Sequence, residues 1–458
     1  MASTTLYKYN PATSSTNEYK GTFSWWMKVS EVDAGSYLIS QESGQERFFW
    51  YISGGSDSFE GAYRGASGQP NIDFSLSSAP KIRDPNGWYH CVIAYDTTQS
   101  TASDRLKFYI NNVQYTVSNV GGDIPQNTIF PMNKSSFAQP LYIGSYVNSA
   151  AYFDGLMSHF HFVDGQQLTP SSFGEYDANG VWKIKTSPSV TYGNFGYFIL
   201  KNGNSVTDQS GNGNNFTVAG GTLTNTEDSP SNVFCTLNPL IPSNGSFSEG
   251  NNTVTTSTST WSTVGSNLGA TSGKYYWEVK MNLLSGSTTS FYTMIGFARL
   301  QGNSSDLGNN LTSNLGDNNG VGIYSDTGSI YYPGGTVSYT SSFKTSGNII
   351  GVALDLDNNY AYWSINGTWQ NSGDPTSGAT GTGGYDLSSF ADGSFIVPAS
   401  SVQNYASANQ SENEYNFGNG YFGTTAVASA GTNASGIGIF EYDVPTGYTA
   451  LSTKGLNL

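Results

Sequence analysis

His90-Cys-Val-Ile-Ala-Tyr-Asp96 followed by Leu106-Lys-Phe-Tyr-Ile-Asn-Asn112, and later Ile349-Ile-Gly-Val-Ala-Leu-Asp355 followed by Tyr360-Ala-Tyr-Trp-Ser-Ile-Asn-Gly367, are two statements of one pattern. In each, a strand apolar on both faces ends in Asp, and an aromatic strand then closes on Ile-Asn-Asn or Ile-Asn-Gly. Apolar residues on both faces mark a central strand. The Asn-Asn and Asn-Gly pairs tolerate the positive φ of a two-residue hairpin turn. A repeat of this kind, set among further strands, predicts two copies of one sandwich type.

Working outward, Phe23, Trp25, Met27 and Val29 alternate with Thr22, Ser24, Trp26 and Lys28. Tyr275, Trp277, Val279 and Met281 do the same in the second half, opposite Tyr276, Glu278 and Lys280. Further strands are read at 141–144, 151–153, 157–163 and 195–200, and no helix is predicted. The 458 residues include 31 Tyr, 25 Phe, 9 Trp and 55 Gly, which suit pleated surfaces and tight turns. The predicted class is all-β. Each half, at about 200 residues, can bury roughly 70% of its unfolded surface and needs no metal or disulfide to fold. Cys91 and Cys235 could pair only by bridging the halves, so both are expected as buried free thiols.

A net charge of −15 with 18 scattered basic residues excludes nucleic acid as a partner. No run of about 18 apolar residues exists, so no membrane insertion is expected. The start, Met1 to Asn10, lacks a basic segment followed by an apolar one and does not read as a secretory leader.

Catalytic and metal constellations are weak. A retaining glycosidase needs two carboxyls about 5–5.5 Å apart, and no Glu-x-Asp-x-x-Glu is present. Asp355-x-Asp357 has same-face spacing but sits at a strand end. His159-x-His161 could be half a metal site. With no third ligand evident, it reads instead as two solvent-facing histidines on a half-buried strand. Asp208-x-Ser210-x-Asn212-Gly213 imitates the opening of a calcium loop, but its twelfth position is Ala219, and a Gly/Asn turn explains it better. No enzyme activity, metal site or cofactor is expected. A structural calcium held elsewhere by loop Asp and carbonyls stays open as an alternative.

The second half resembles a SPRY domain. Lys274-Tyr-Tyr-Trp-Glu-Val-Lys280, Ile295-Gly-Phe-Ala-Arg299, Gly320-Val-Gly-Ile-Tyr324, Gly347 to Asp357 and Tyr415-Asn-Phe-Gly418 match that family's strands in order. The first half resembles a laminin-G/concanavalin-A-like domain through Asn86-Gly-Trp-Tyr-His90, Leu106 to Asn111, Leu141-Tyr-Ile-Gly144 and Tyr152-Phe-Asp-Gly155. Asp208-Gln-Ser-Gly-Asn-Gly-Asn-Asn215 also recurs there, but it usually opens such a domain and here follows the other marks.

The resemblances imply two tandem concanavalin-A-like (jelly-roll) antiparallel β-sandwiches. The expected layout is 1–205 for the first, 206–245 as connector, 246–420 for the SPRY-like sandwich, and 421–458 as a C-terminal extension packed on it. Together they resemble virion proteins of marine tailed phages. That implies a tail fibre, tail appendage or capsid decoration on the virion surface, extracellular after host lysis. The implied partners are other virion proteins, a host-surface glycan or receptor, and further copies in a homo-oligomer, expected as a trimer. The alternatives are a cellular secreted lectin-like adhesin and a polysaccharide-degrading enzyme. Tyr324, Asp326, Tyr331, Tyr332, Trp363, Asn366 and Trp369 lie near turns of the SPRY-like half, with Asp317 close by. They are the expected ligand-binding residues, because aromatic platforms beside Asn and Asp suit sugar faces and protein partners alike.

Overall fold

The computed structural model describes residues 4–30, 35–44, 46–65, 71–76, 81–147, 151–201, 205–241, 243–256, 260–286, 291–300, 319–404 and 410–458. The chain is all-β, with short 3-10 turns and no α-helix among the described residues. Accordingly, no helix there is long and apolar enough to cross a membrane. It divides into two units, Met1–Asn225 and Thr226–Leu458.

The first unit stacks an eight-stranded sheet on a six-stranded one. The six-stranded sheet runs Tyr197–Ile199, Gly155–Asp164, Lys20–Val29, Tyr89–Asp96, Leu106–Ile110 and Val113–Tyr115. The eight-stranded sheet runs Val117–Val120, Asn71–Leu76, Phe59–Arg64, Glu46–Ile52, Ser36–Ser43, Leu141–Ile143, Thr5–Lys8 and Thr217–Gly220. Phe23, Trp25, Met27 and Val29 meet Phe48, Trp50 and Ile52 in its core, as the alternation predicts. The expected strand at 151–153 is absent; Ala151 adopts φ +49° there, outside the extended region.

The second unit packs a nine-stranded sheet against a six-stranded one. The larger sheet centres on Lys274–Ser285, Ile349–Asp355 and Tyr360–Ile365. The smaller runs Ser262–Gly265, Phe395–Asn404, Phe291–Leu300, Gly320–Tyr324, Ser329–Tyr332 and Gly335–Ser338.

The repeated pattern is a repeated construction. Lys20 lies opposite Asp96 in register, with its Nζ 3.0 Å from the carboxylate, and Lys274 lies opposite Asp355 at 2.8 Å. Each Asp also closes the turn after its strand, accepting from the N–H of Thr98 or Asp357 at 3.1 Å. The hairpin asparagines match too. Asn111 Oδ1 accepts the His90 N–H at 2.8 Å, and Asn366 Oδ1 accepts the Ile349 N–H at 2.9 Å. Both pairs take positive φ, Asn111 (47°) with Asn112 (67°) and Asn366 (48°) with Gly367 (78°).

The unit boundary falls inside the stretch read as a connector over 206–245. Thr217–Gly220 pairs with Thr5–Lys8 and extends the first unit's sheet. Cys235 and Leu237 lie in the second unit's core. Cys91 and Cys235 are both buried, each in the core of its own unit, with no disulfide between them. Beyond Asn416, the segment 421–458 lies on the outer face of the nine-stranded sheet, where Phe440, Val444 and Tyr448 pack on Tyr276, Ala353 and Tyr362.

Candidate functional site

The strand Ser329–Tyr332 sorts its residues by alternation. Ile330 and Tyr332 turn inward to the sandwich core, and Tyr331 turns outward. Tyr331 stands opposite Gly322, and Tyr324, two residues along that strand, stands opposite Met294. Tyr324 and Tyr331 meet edge to face, 5.3 Å apart at 84°. Trp261 meets Tyr324 at 5.8 Å and 64°, and Tyr292 meets it at 6.0 Å. Buried Met294, Ala298, Val397 and Ala399 form the floor beneath these half-buried rings.

One rim of the cluster is charged. Lys344 pairs with Asp326, and its Nζ lies 4.3 Å from the centroid of the Tyr292 ring. Burial and the neighbouring Asp326 carboxylate push the Tyr324 phenol well above its ordinary pKa, so it stays a neutral donor. The arrangement offers ring faces and edges, phenolic hydroxyls and a fixed cation–carboxylate pair. That is equipment for recognition, with no nucleophile set beside a base.

The structure brings together three of the expected residues, Tyr324, Asp326 and Tyr331, and separates the rest. Trp363 is wholly buried, donates its Nε1–H to the Ile295 carbonyl at 3.0 Å and stacks on Phe297, so it is a core residue. Asn366 is the hairpin turn described above. Tyr332 packs on the core side against Tyr385, and Trp369 packs on Tyr276 under the C-terminal segment. Asp317 lies outside the described residues. Trp261, Tyr292 and Lys344 join the cluster without being among the expected residues. Tyr292-x-Met294 in Phe291–Leu300 was a readable alternation, whereas the approach of Trp261 and Lys344 depends on sheet order.

Residues 4–172 match the family model of the concanavalin A-like lectin/glucanases superfamily, and residues 274–388 match that of the SPRY domain. The chain carries a concanavalin-A-like domain followed by a SPRY domain. Both structural units extend beyond the matched residues, to the strands Thr217–Gly220 and Gln410–Asn416. No curated protein matches.

Among solved structures, the chain is similar to the SPRY domain of human HERC1, with 16% identity over 39% of this chain and 96% of that one and a TM-score of 0.29. A second human SPRY domain gives 12% identity over 36% of this chain and 91% of that one, with a TM-score of 0.25. The Ruminococcus gnavus IT-sialidase CBM40, solved bound to α2,3-sialyllactose, gives 12% identity over 36% and 88%, at 0.26.

The remaining candidates resolve into structure. Asp355 is fully buried, and Asn358 as well as Lys274 and Asp357 donates to it. Asp208 accepts from the N–H groups of Phe198, Ser210 and Asn214 and from the Ser210 hydroxyl, all at 2.8–2.9 Å. The loop's own donors thus occupy the lone pairs a cation would use. His159 and His161 are buried, correcting their reading as solvent-facing. A bulge at Ser158/His161, with His159 at φ +49°, breaks the alternation, and both rings pack on Phe198. Among the described residues, no group of three or more His, Cys, Asp or Glu is placed to hold a metal.

Proposed function

We propose that the chain is a non-enzymatic recognition and structural protein of a virion surface, in the manner of a tail fibre, tail appendage or capsid decoration. The observation that carries recognition is the outward cluster of Trp261, Tyr292, Tyr324 and Tyr331 with its Asp326–Lys344 rim. Half-buried aromatics over an apolar floor, beside paired charges, are the composition of binding hot spots. Both matched domain types are commonly binding modules, which favours the same reading. The virion setting rests on the resemblance to phage proteins and on an acidic, weakly charged composition suited to many copies on one particle.

The test titrates labelled full-length chain on purified virus particles and on host cells. Tyr324→Ala and Tyr331→Ala are expected to weaken binding to whichever surface the wild type binds by at least about ten-fold, the scale of a hot-spot truncation. Undiminished binding by folded variants refutes the assignment of the site. Detection of the chain on cell surfaces and never on particles would favour the secreted adhesin instead.

A further inference from the structure

A second aromatic surface lies in the concanavalin-A-like domain. One face of its eight-stranded sheet packs Phe48, Trp50 and Ile52 into the core. The opposite face of an antiparallel sheet is ordinarily polar. Here Glu46–Ile52 turns Phe49 and Tyr51 outward, and Tyr37 and Tyr146 join them. Tyr37 stacks on Tyr51 at 4.9 Å and 15°, and lies 5.4 Å from Phe49 and 4.8 Å from Tyr146. Phe49 and Tyr146 meet edge to face at 5.9 Å. All four rings are only partly buried.

Polar groups fix these rings in place. The Tyr51 hydroxyl donates to Glu60 Oε2 at 2.6 Å, and the Tyr146 hydroxyl donates to Glu42. Arg47 pairs with Glu42 at 3.7 Å, with its guanidinium 5.9 Å from the Phe49 centroid. In register beyond Phe49 come Ser40, which is buried and bonded to Ser145 and Val147, and then the half-buried Tyr142 and Tyr7, the last three strand spacings, about 14 Å, from Phe49.

We propose that this face binds uncharged hexopyranose oligosaccharides. A pyranose presents C–H groups to aromatic rings, and hydroxyls that donate to carboxylates and accept from a guanidinium. Two carboxylates against one guanidinium, on a chain of net charge −15, disfavour sialic and uronic acids. The strands Ser36–Ser43 and Glu46–Ile52 are paired on both edges, so an added peptide strand has no ladder to join. The spread of half-buried rings from Phe49 to Tyr142 and Tyr7 fits an oligosaccharide better than a single sugar.

The inference rests on the reading of the chain as a binding protein but not on the SPRY site, and the test separates the two. Full-length chain is run in native affinity gels containing laminarin, dextran or mannan, with alginate as the polyanionic control. At least one neutral polysaccharide is expected to retard the wild type, and alginate is not. Tyr51→Ala and Tyr146→Ala are expected to lower that affinity at least ten-fold, with near-UV circular dichroism unchanged, while Tyr324→Ala leaves it intact. If an alanine variant misfolds, Tyr51→Phe and Glu60→Gln replace it, with a several-fold loss expected. No retardation by any neutral polysaccharide, retardation by alginate alone, or full affinity in folded platform variants would each overturn the proposal. Loss in Tyr324→Ala but not in the platform variants would overturn it while sparing the SPRY site.

Discussion

The chain's three histidines are all buried in the first unit, and the bonds of one show why this matters. Trp182 donates its Nε1–H to His90 Nδ1 at 3.0 Å, so Nδ1 is an acceptor and Nε2 carries the proton toward Ser24 Oγ at 2.9 Å. A second proton on that ring would set N–H against N–H. Burial pushes His90 down to about 3 and His159 to about 4, and holds His161 well below its ordinary 6.5. The folded unit therefore keeps three neutral rings while the unfolded chain takes up protons below about 6.5. Their contribution is complete above that value and is lost as pH falls toward 4, at up to about 1.4 kcal/mol per pH unit for each histidine. Urea unfolding followed at the first unit's tryptophans should show a midpoint clearly lower at pH 5 than at pH 7.5. An unchanged midpoint would contradict the buried neutral state.

At the scale of elements, one buried acid helps to hold the C-terminal segment. Glu278, on the outer face of Lys274–Ser285, accepts from the backbone N–H groups of Glu441 and Tyr442, both at 2.9 Å. The Tyr276 hydroxyl and the Asn416 amide, each at 3.1 Å, complete its four donors. Burial nonetheless pushes Glu278 up to about 7, against those donors. Its linkage thus has the opposite sign to that of the histidines, with stability greatest below about 4.5 and declining as pH rises through 7. Glu278→Ala leaves buried donors unmatched and should cost the second unit about 3 kcal/mol. Limited proteolysis should then cut within 423–447 at least ten-fold faster. Unaltered cleavage would mean that the apolar contacts of Phe440 and Tyr448 and the pairing of Thr449 and Ala450 with Tyr275 and Tyr276 hold the segment without Glu278.

This segment also explains what sequence could and could not disclose. The strands, the Asn-Gly hairpin and the strand-end aspartates were legible because alternation and turn chemistry are local. Tyr362 and Trp363 are adjacent and both fully buried, Trp363 in the sandwich core and Tyr362 under the C-terminal segment, which covers the face that alternation assigns to solvent. Trp363 reads as a platform from its place near a turn, although its face of the strand is the core face. The bulge that buries His159 and the meeting of Tyr37 with Tyr146, from strands distant in sequence, are set by tertiary packing, and no local spacing encodes them.

For the whole molecule, the edges of the sheets bear on assembly. Four edge strands of three or four residues each expose a valine: Val113 (50%), Val120 (63%), Val218 (37%) and Val337 (42%). Such short edges give little ladder for open-ended growth, and a charge of −15 opposes random association. Exposed valines on edge strands remain available to a specific neighbour, and a closed symmetric assembly satisfies both conditions. The proposed homotrimer predicts that full-length chain sediments at three times its 49.0 kDa mass. Placing a charge at an edge, as in Val120→Lys or Val337→Lys, should shift at least one variant toward the single-chain mass without unfolding it. A wild type that sediments as a monodisperse single chain at tens of micromolar would exclude the trimer.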